Sequence, residues 1–148
     1  MTKQFGQLRP EGDALVLRTW LGQWVGPLQD AGIPYTSASW DGDSYSTTAK
    51  TLLDLSAVFG IPANVRQVRV KTAVRDSGSA ASQCVLLLGW DNTAGLGMVT
   101  PCSGLTNDAW SYRFDDVWCD ANGDVYYQII ASGASTMDIY IEIYGYML

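Results

Sequence analysis

The sequence predicts an all-β protein, an antiparallel jelly-roll-like β-sandwich of about eight strands, and three observations support this fold class. Apolar and more polar side chains alternate with a period of two from Met137 to Tyr146, which is typical of a half-buried strand. Shorter apolar runs recur through residues 47–131, separated by turn-forming Gly, Pro, Asn and Asp. The chain has 148 residues, 47% of them hydrophobic and 16% charged, so one domain can bury a sufficient core.

Turn signals divide the chain into its predicted elements. Ser39 to Ser44 is predicted to be a turn because Ser, Asp and Gly are concentrated there. A strand is expected from Thr47 to Asp54, followed by a short helical turn that Gly60 and Pro62 close. The pair Asn122-Gly123 supplies the positive φ of a tight hairpin turn. Further strands are predicted at residues 65–75, 83–90, 98–101, 109–118, 125–131 and 137–146.

Residues 1–35 are predicted to form an N-terminal anchoring arm or short helix, and residues 36–148 the β-sandwich domain. Asp13 can cap a helix, which Gly22, Gly26 and Pro27 would weaken and end. An extended arm is the other interpretation, because the residues around Leu17 also fit a strand. The apolar side chains of this segment need a cover, which is either the β-domain or a neighbouring subunit. Its candidate partner contacts are Leu17, Trp20, Leu21 and Trp24.

The last predicted strand has an unusually aromatic second face. Its alternate positions carry Asp138, Tyr140, Glu142, Tyr144 and Tyr146. Tyrosine combines a large apolar ring with a hydroxyl, and it is enriched at protein interfaces. We therefore predict Tyr140, Tyr144 and Tyr146 as partner-binding residues, with packing under a loop of the same chain as the other interpretation.

Charge and hydropathy argue against two classes of partner. Nine basic and fifteen acidic residues give a net charge of -6, and no two basic residues are adjacent. We therefore expect binding neither to nucleic acid nor to a membrane surface. The N-terminus shows no signal-peptide pattern and no apolar run is long enough to span a bilayer, so we expect the protein to be made and kept in the cytosol, or assembled there.

The composition also argues against an enzyme. There is no histidine, which excludes Ser-His-Asp, Cys-His and zinc-protease arrangements. No phosphate-binding glycine motif precedes a helix. The acid pairs Asp115/Asp116 and Asp41/Asp43 are interpreted as solvated acids rather than the two carboxylates of a glycosidase. No catalytic residue and no cofactor is predicted.

No metal site is predicted either. Asp120, Asn122 and Asp124 match the first half of a calcium loop, but the acid that should close the loop is missing, so a hairpin turn is preferred. Cys84, Cys102 and Cys119 lack metal-ligand spacing and are expected to be buried thiols, with a disulfide left open. The six tryptophans suit core and interface packing better than a sugar-binding platform.

Several turn and strand signatures are spread from Trp40 to Leu148. They are Trp40-Asp41-Gly42-Asp43, Asp54-Leu55-Ser56, Phe59-Gly60-Ile61-Pro62-Ala63, Val74-Arg75-Asp76-Ser77-Gly78-Ser79, Cys119-Asp120-Ala121-Asn122-Gly123-Asp124 with Tyr126-Tyr127, and Ile143-Tyr144-Gly145-Tyr146. Together they resemble a C-terminal β-domain of small virion proteins from tailed bacteriophages. The resemblance covers about three quarters of the chain. It implies a jelly roll, often trimeric, and transfers no active-site residues.

This resemblance predicts a structural component of a tailed-phage virion, assembled in the host cytoplasm. The most specific expectation is a capsid decoration or cement protein that stabilises contacts between capsid subunits. Its expected partners are the major capsid protein or other virion proteins, and further copies of itself in a homotrimer. The alternative is a neck or tail fibre or baseplate component that binds host surface glycans through aromatic residues on loops such as 91–97 or 103–109.

Overall fold

The computed structural model describes residues 24–25, 35–92 and 97–148, which form two packed antiparallel sheets. The all-β prediction is confirmed. Within these ranges the single helix has five residues, and no helix is long and apolar enough to cross a membrane. The elements are β1 (Trp24–Val25), β2 (Tyr35–Tyr45), β3 (Thr48–Leu53), α1 (Leu55–Phe59), β4 (Gln67–Asp76), β5 (Val85–Gly89), β6 (Met98–Pro101), β7 (Ser111–Trp118), β8 (Val125–Ile130) and β9 (Met137–Met147).

The strand order is that of a jelly roll. In the first sheet β9 lies between β4 and the edge formed by β2 and β1, and β7 forms the opposite edge. The second sheet has the order β3-β8-β5-β6. From β2 to β9 successive strands alternate between the two sheets, except that β5 and β6 are a hairpin within one sheet. This alternation closes the two sheets over one core.

The core between the sheets follows the predicted alternation of β9. Met137, Ile139, Ile141 and Ile143 all point inward and are at most 2% exposed. Burying each of these side chains stabilises the fold by about 1.5–3 kcal/mol. One polar contact crosses the core, because the hydroxyls of Thr72 on β4 and Thr100 on β6 lie 2.6 Å apart and share a hydrogen bond.

The predicted turn at Ser39 to Ser44 is wrong, because these residues lie within β2. Trp40 is buried there, stacked on Tyr45 and edge-on to Tyr127. The pairing of β2 with β9 is irregular on both sides of Asp41. Gly42 has φ 80° and lies in this irregular part of β2. Glycine adopts a positive φ in a bulged strand as readily as in a turn.

The predicted N-terminal segment contributes to the sheet where it is described. Trp24 pairs with Met147 and Val25 with Tyr146 in β1, so the helix interpretation is wrong for these two residues. Tyr35 is already the first residue of β2. The other predicted arm contacts, Leu17, Trp20 and Leu21, lie outside the described residues.

The turn between β7 and β8 packs against another loop. Asn122 accepts a backbone hydrogen bond from Asn64 N at 2.9 Å. A Cβ at Gly123 would lie 2.6 Å from Asn64 N and 2.8 Å from Val65 N, and its φ is 93°. Both the turn and the close approach therefore require glycine at this position.

We expect Gly123→Ala to lower the free energy of unfolding by about 2–4 kcal/mol, combining a left-handed backbone penalty with a clash against backbone atoms. Gly104→Ala is the matched control, because Gly104 has φ 76° and a Cβ added there would have nothing within 4 Å. That variant should lose only about 1 kcal/mol. Urea unfolding measures both, and equal losses would contradict the steric explanation.

Candidate functional site

The outer face of the first sheet carries an ordered array of charged and aromatic side chains. On β4, Arg69, Lys71, Ala73 and Arg75 alternate with buried residues and so lie on this face. Each is flanked by a residue of β9 on one side and, for the first three, by a residue of β7 on the other. The cross-strand rows are Gly145/Arg69/Asp116, Glu142/Lys71/Phe114, Tyr140/Ala73/Tyr112 and, at the end, Asp138/Arg75.

The charges on this face are paired. Arg69 donates to both carboxylate oxygens of Asp116, at 2.8 and 3.0 Å. Lys71 Nζ donates to Glu142 Oε2 at 2.7 Å, and that hydrogen bond raises the pKa of Lys71. Arg75 contacts the carboxylate of Asp138 at 2.8 Å. The three pairs sum to zero charge on a chain whose net charge is -6.

Aromatic rings surround two of these pairs at one end of the face. We define the aromatic patch as Trp24, Phe114, Trp118 and Tyr144. Phe114 is 62% exposed and Trp118 53% exposed. The Phe114 and Tyr144 rings lie 5.7 Å apart, and the Arg69 guanidinium lies 4.7 Å from the Trp24 ring centroid. The patch thus exposes large apolar rings next to neutralised charges.

A groove lies beside the patch, where the small side chain of Ala73 separates Tyr112 from Tyr140. Trp110 closes one side, with its ring 5.1 Å from Tyr140 and 6.2 Å from Tyr112. The paired Lys71 and Glu142 also line it. The groove has a volume of about 320 Å³ and opens to solvent.

Tyr146 does not lie on the outer face as its alternation with Tyr144 predicts. The pairing of β9 with β4 shifts by one residue, since Val70 pairs with Ile143 but Arg69 pairs with Gly145. Beyond this bulge Tyr146 pairs with Val68, and it belongs to the core at 9% exposure. One extra residue therefore reverses the side to which every later side chain points.

The other predicted partner contacts that the structure describes do lie on this face. Tyr140 lines the groove, and Tyr144 and Trp24 belong to the aromatic patch. Whether they bind a partner stays a prediction. Sequence reasoning missed Tyr112 and Phe114, although the spacing Trp110, Tyr112, Phe114 and Trp118 places four aromatic residues at alternate positions along one strand.

The paired acids of the sequence do not converge. Asp116 lies on the outer face with Arg69, whereas Asp115 pairs with Arg113 at 2.9 Å. Arg113 also donates to Val99 O at 3.1 Å, so it joins the edges of the two sheets. The two carboxylates therefore act in separate structural ion pairs.

The two aspartates of the turn between β7 and β8 accept hydrogen bonds from backbone N–H groups. Asp120 Oδ1 accepts hydrogen bonds from Asn122 N and Asp124 N, at 2.8 and 2.9 Å. Asp124 Oδ1 accepts from the backbone N–H of Leu55, the first residue of α1, at 3.0 Å. Burial raises the pKa of Asp124, an effect that this hydrogen bond opposes. The described residues contain no group of three side chains suited to hold a metal ion.

A buried carboxylate joins the loops at one end of the sandwich. Asp76 is 0% exposed and accepts from Gly78 N at 2.7 Å and Ser132 N at 3.0 Å. It also accepts from the hydroxyls of Ser132 and Thr136. Burial alone would raise its pKa, but these hydrogen bonds outweigh burial and lower it. Asp76 therefore remains a buried, fully bonded anion.

The three cysteines are free thiols. Cys84 and Cys102 are buried, and Cys102 N donates to Cys84 O at 3.0 Å where β5 and β6 meet. Burial raises the pKa of Cys102 to about 12. The same effect raises the pKa of half-buried Cys119 to about 12, so none of these observations indicates a reactive thiolate.

No protein-family model, curated protein or solved structure matches this chain. Its function is therefore inferred from its fold, from the aromatic patch and the groove, and from the resemblance of its turn and strand signatures.

Proposed function

We propose that this chain is a structural component of a tailed-phage virion, a capsid decoration or cement protein that self-associates and stabilises contacts between capsid subunits. The resemblance of its turn and strand signatures supports the virion setting. The aromatic patch is the main structural support for a role in assembly, because exposed aromatic rings offer a surface on which another protein can pack. Phe114, at 62% exposure, is its most exposed member.

The composition of the patch is that of a protein interface. Trp, Tyr, Phe and Arg are enriched at interfaces, and the most important contacts commonly come from Trp, Tyr and Arg. The patch contains all four residue types once Arg69 under Trp24 is included. The bonds of Arg69 to Asp116 hold the guanidinium in place, so less side-chain freedom is lost when a partner covers it.

The partner we propose for the patch is a second copy of this chain. Each copy carries a net charge of -6, but the ion pair Arg69–Asp116, which lies beside Trp24 of the aromatic patch, has no net charge. Copies can therefore meet there with the least electrostatic cost. The number of three subunits comes from the resemblance alone. In a cyclic trimer each contact would be repeated around the symmetry axis.

The proposal is tested by the stoichiometry of this chain in purified particles, measured by quantitative mass spectrometry against the major capsid protein. A ratio near one, or a simple fraction of it, is the result expected of a decoration protein. A few to dozens of copies per particle would instead indicate a neck, fibre or baseplate component. Absence from purified particles would overturn the virion proposal.

Removing residues 1–22 is expected to abolish incorporation into particles while the sandwich stays folded. The deletion ends before β1, so Trp24 and Val25 keep their pairing with β9. Co-sedimentation with particles measures incorporation, and an unchanged urea-unfolding midpoint shows that the fold is intact. Normal incorporation of the shortened chain would show that the anchor lies elsewhere.

A further inference from the structure

We infer that the groove between Trp110, Tyr112 and Tyr140 binds a neutral hexopyranose, such as the terminal sugar of a glycan. This binding site is an addition to the proposed structural role and does not depend on it. Three features of the groove support the inference: the arrangement of its rings, the ion pair at its edge and its charge.

Trp110 packs against the rings of Tyr140 and Tyr112, and the two tyrosines stand apart on either side of Ala73. Trp110 is inclined by 43° to Tyr140 and by 31° to Tyr112, with Ala73 between the two tyrosines. Tyr112 is 60% exposed. One face of a pyranose ring presents C–H groups, which pack on the face of an aromatic ring and remove apolar surface from water. Rings tilted around a small residue can contact such a face from more than one side.

Neighbouring residues hold two of these rings in place. The Arg75 guanidinium lies 4.8 Å from the Trp110 ring centroid, and Asp138 holds Arg75 by a hydrogen bond of 2.8 Å. The Tyr140 hydroxyl lies over Gly42, where a Cβ would come within 2.9 Å of it. The two rings are thus held before any ligand arrives, which lowers the entropic cost of binding.

The ion pair supplies hydrogen-bonding groups suited to hydroxyls. Lys71 Nζ lies 2.7 Å from Glu142 Oε2, and both residues line the groove. An ammonium group has three donor hydrogens, and a carboxylate can accept about four hydrogen bonds. A donor beside an acceptor complements two neighbouring sugar hydroxyls, each of which both donates and accepts. Small-molecule sites commonly combine apolar walls with a few such polar groups.

Charge and size narrow the ligand to a neutral sugar unit. The Lys71–Glu142 pair has no net charge, and the chain as a whole is acidic, so an anionic sugar gains no attraction here. The volume of about 320 Å³ lies at the small end of the range for ligand pockets. It suits one sugar ring with part of the next rather than a long chain.

The test titrates the full-length protein with the methyl glycosides of glucose, galactose and mannose. Saturation-transfer NMR detects which sugar protons contact the protein, and calorimetry gives the affinity. We expect transfer to the C–H protons of at least one of these sugars. Trp110→Ala should weaken binding at least about tenfold, whereas Trp110→Phe should retain part of it.

Trp90→Ala is the matched control, because Trp90 is a partly exposed tryptophan that lies outside the groove. It should bind the sugar as the wild type does, and urea unfolding should show that both alanine variants are folded. Absence of transfer to all three glycosides would overturn the inference. Equal weakening by Trp90→Ala would do the same, and tighter binding of sialic acid would overturn the neutral ligand class.

Discussion

Replacing Asp76 with alanine is expected to lower the free energy of unfolding by about 3–5 kcal/mol. The carboxylate is fully buried and accepts hydrogen bonds from two backbone amides and two hydroxyls, contributed by Gly78, Ser132 and Thr136. Alanine leaves these donors without their acceptor in a buried site. The variant should therefore loosen the loops that follow β4 and β8.

Urea unfolding with matched variants separates this role from a general effect of removing an acid. Asp138→Ala removes a carboxylate that is 15% exposed and is bonded to the side chains of Arg75 and Ser44, so it should cost about 1–2 kcal/mol. Asp76→Asn keeps one acceptor oxygen but turns an amide donor toward other donors, so an intermediate loss is expected. A loss in Asp76→Ala no larger than in Asp138→Ala would contradict the assigned role.

The stabilisation by Asp76 should also depend on pH in a defined direction. Its pKa in the folded chain is lowered, so the anion stabilises the fold at pH values above the unfolded value of about 3.9. The stabilisation is lost as the pH falls through the lower, folded pKa. The difference in unfolding free energy between wild type and Asp76→Asn should therefore narrow in acid, and a constant difference down to the acid limit of folding would rule out this linkage.

Phe114→Asp is expected to abolish the proposed self-association and leave a monomer with a sedimentation mass of 16.1 kDa. Phe114 is 62% exposed in the single chain, so the change should leave the fold intact, but in a dimer or trimer it would bury an unpaired carboxylate. Tyr144→Asp should act in the same way, because the two rings are neighbours in the aromatic patch.

Leu52→Asp is the control for this experiment, since Leu52 is a 46% exposed apolar residue on the other sheet. It should leave the oligomer unchanged. A wild-type protein that sediments as a monomer would contradict self-association itself. An unchanged mass for Phe114→Asp, or equal dissociation by Leu52→Asp, would remove the patch from the interface.

Local alternation was sufficient to predict most of the sandwich. The strands from Thr48 onward lie close to their predicted ranges, and β9 has the predicted inward side chains up to Ile143. Period-two patterns are reliable here because one face of each strand meets the core. The predicted short helix that ends at Gly60 is confirmed. This prediction also depended on a local signal, because Gly60 adopts the left-handed φ of 70° that ends the helix.

The errors arose where pairing between distant strands decides the outcome. At Ser39 to Ser44, burial of Trp40 and pairing with β9 keep the chain extended despite its turn-forming residues. At Tyr146 a bulge reverses the alternation, and the local signal that could have predicted it is Gly145, because a glycine inside a strand often marks a bulge. The contributions of Tyr112 and Phe114 to the groove and the aromatic patch were missed because they depend on β7 lying beside β4 and β9, and that order of strands is a property of the jelly-roll topology.

The hydrogen bond between Thr72 and Thr100 has a consequence for how the two sheets are aligned. Contacts among aliphatic side chains are non-directional, so an entirely apolar core would tolerate several offsets of one sheet over the other. A buried hydroxyl pair 2.6 Å apart is satisfied at one offset and leaves polar groups unbonded at the rest. The two threonines therefore fix one offset between the sheets. Because the aromatic patch lies on the outer face of the first sheet, its position relative to the second sheet is fixed as well.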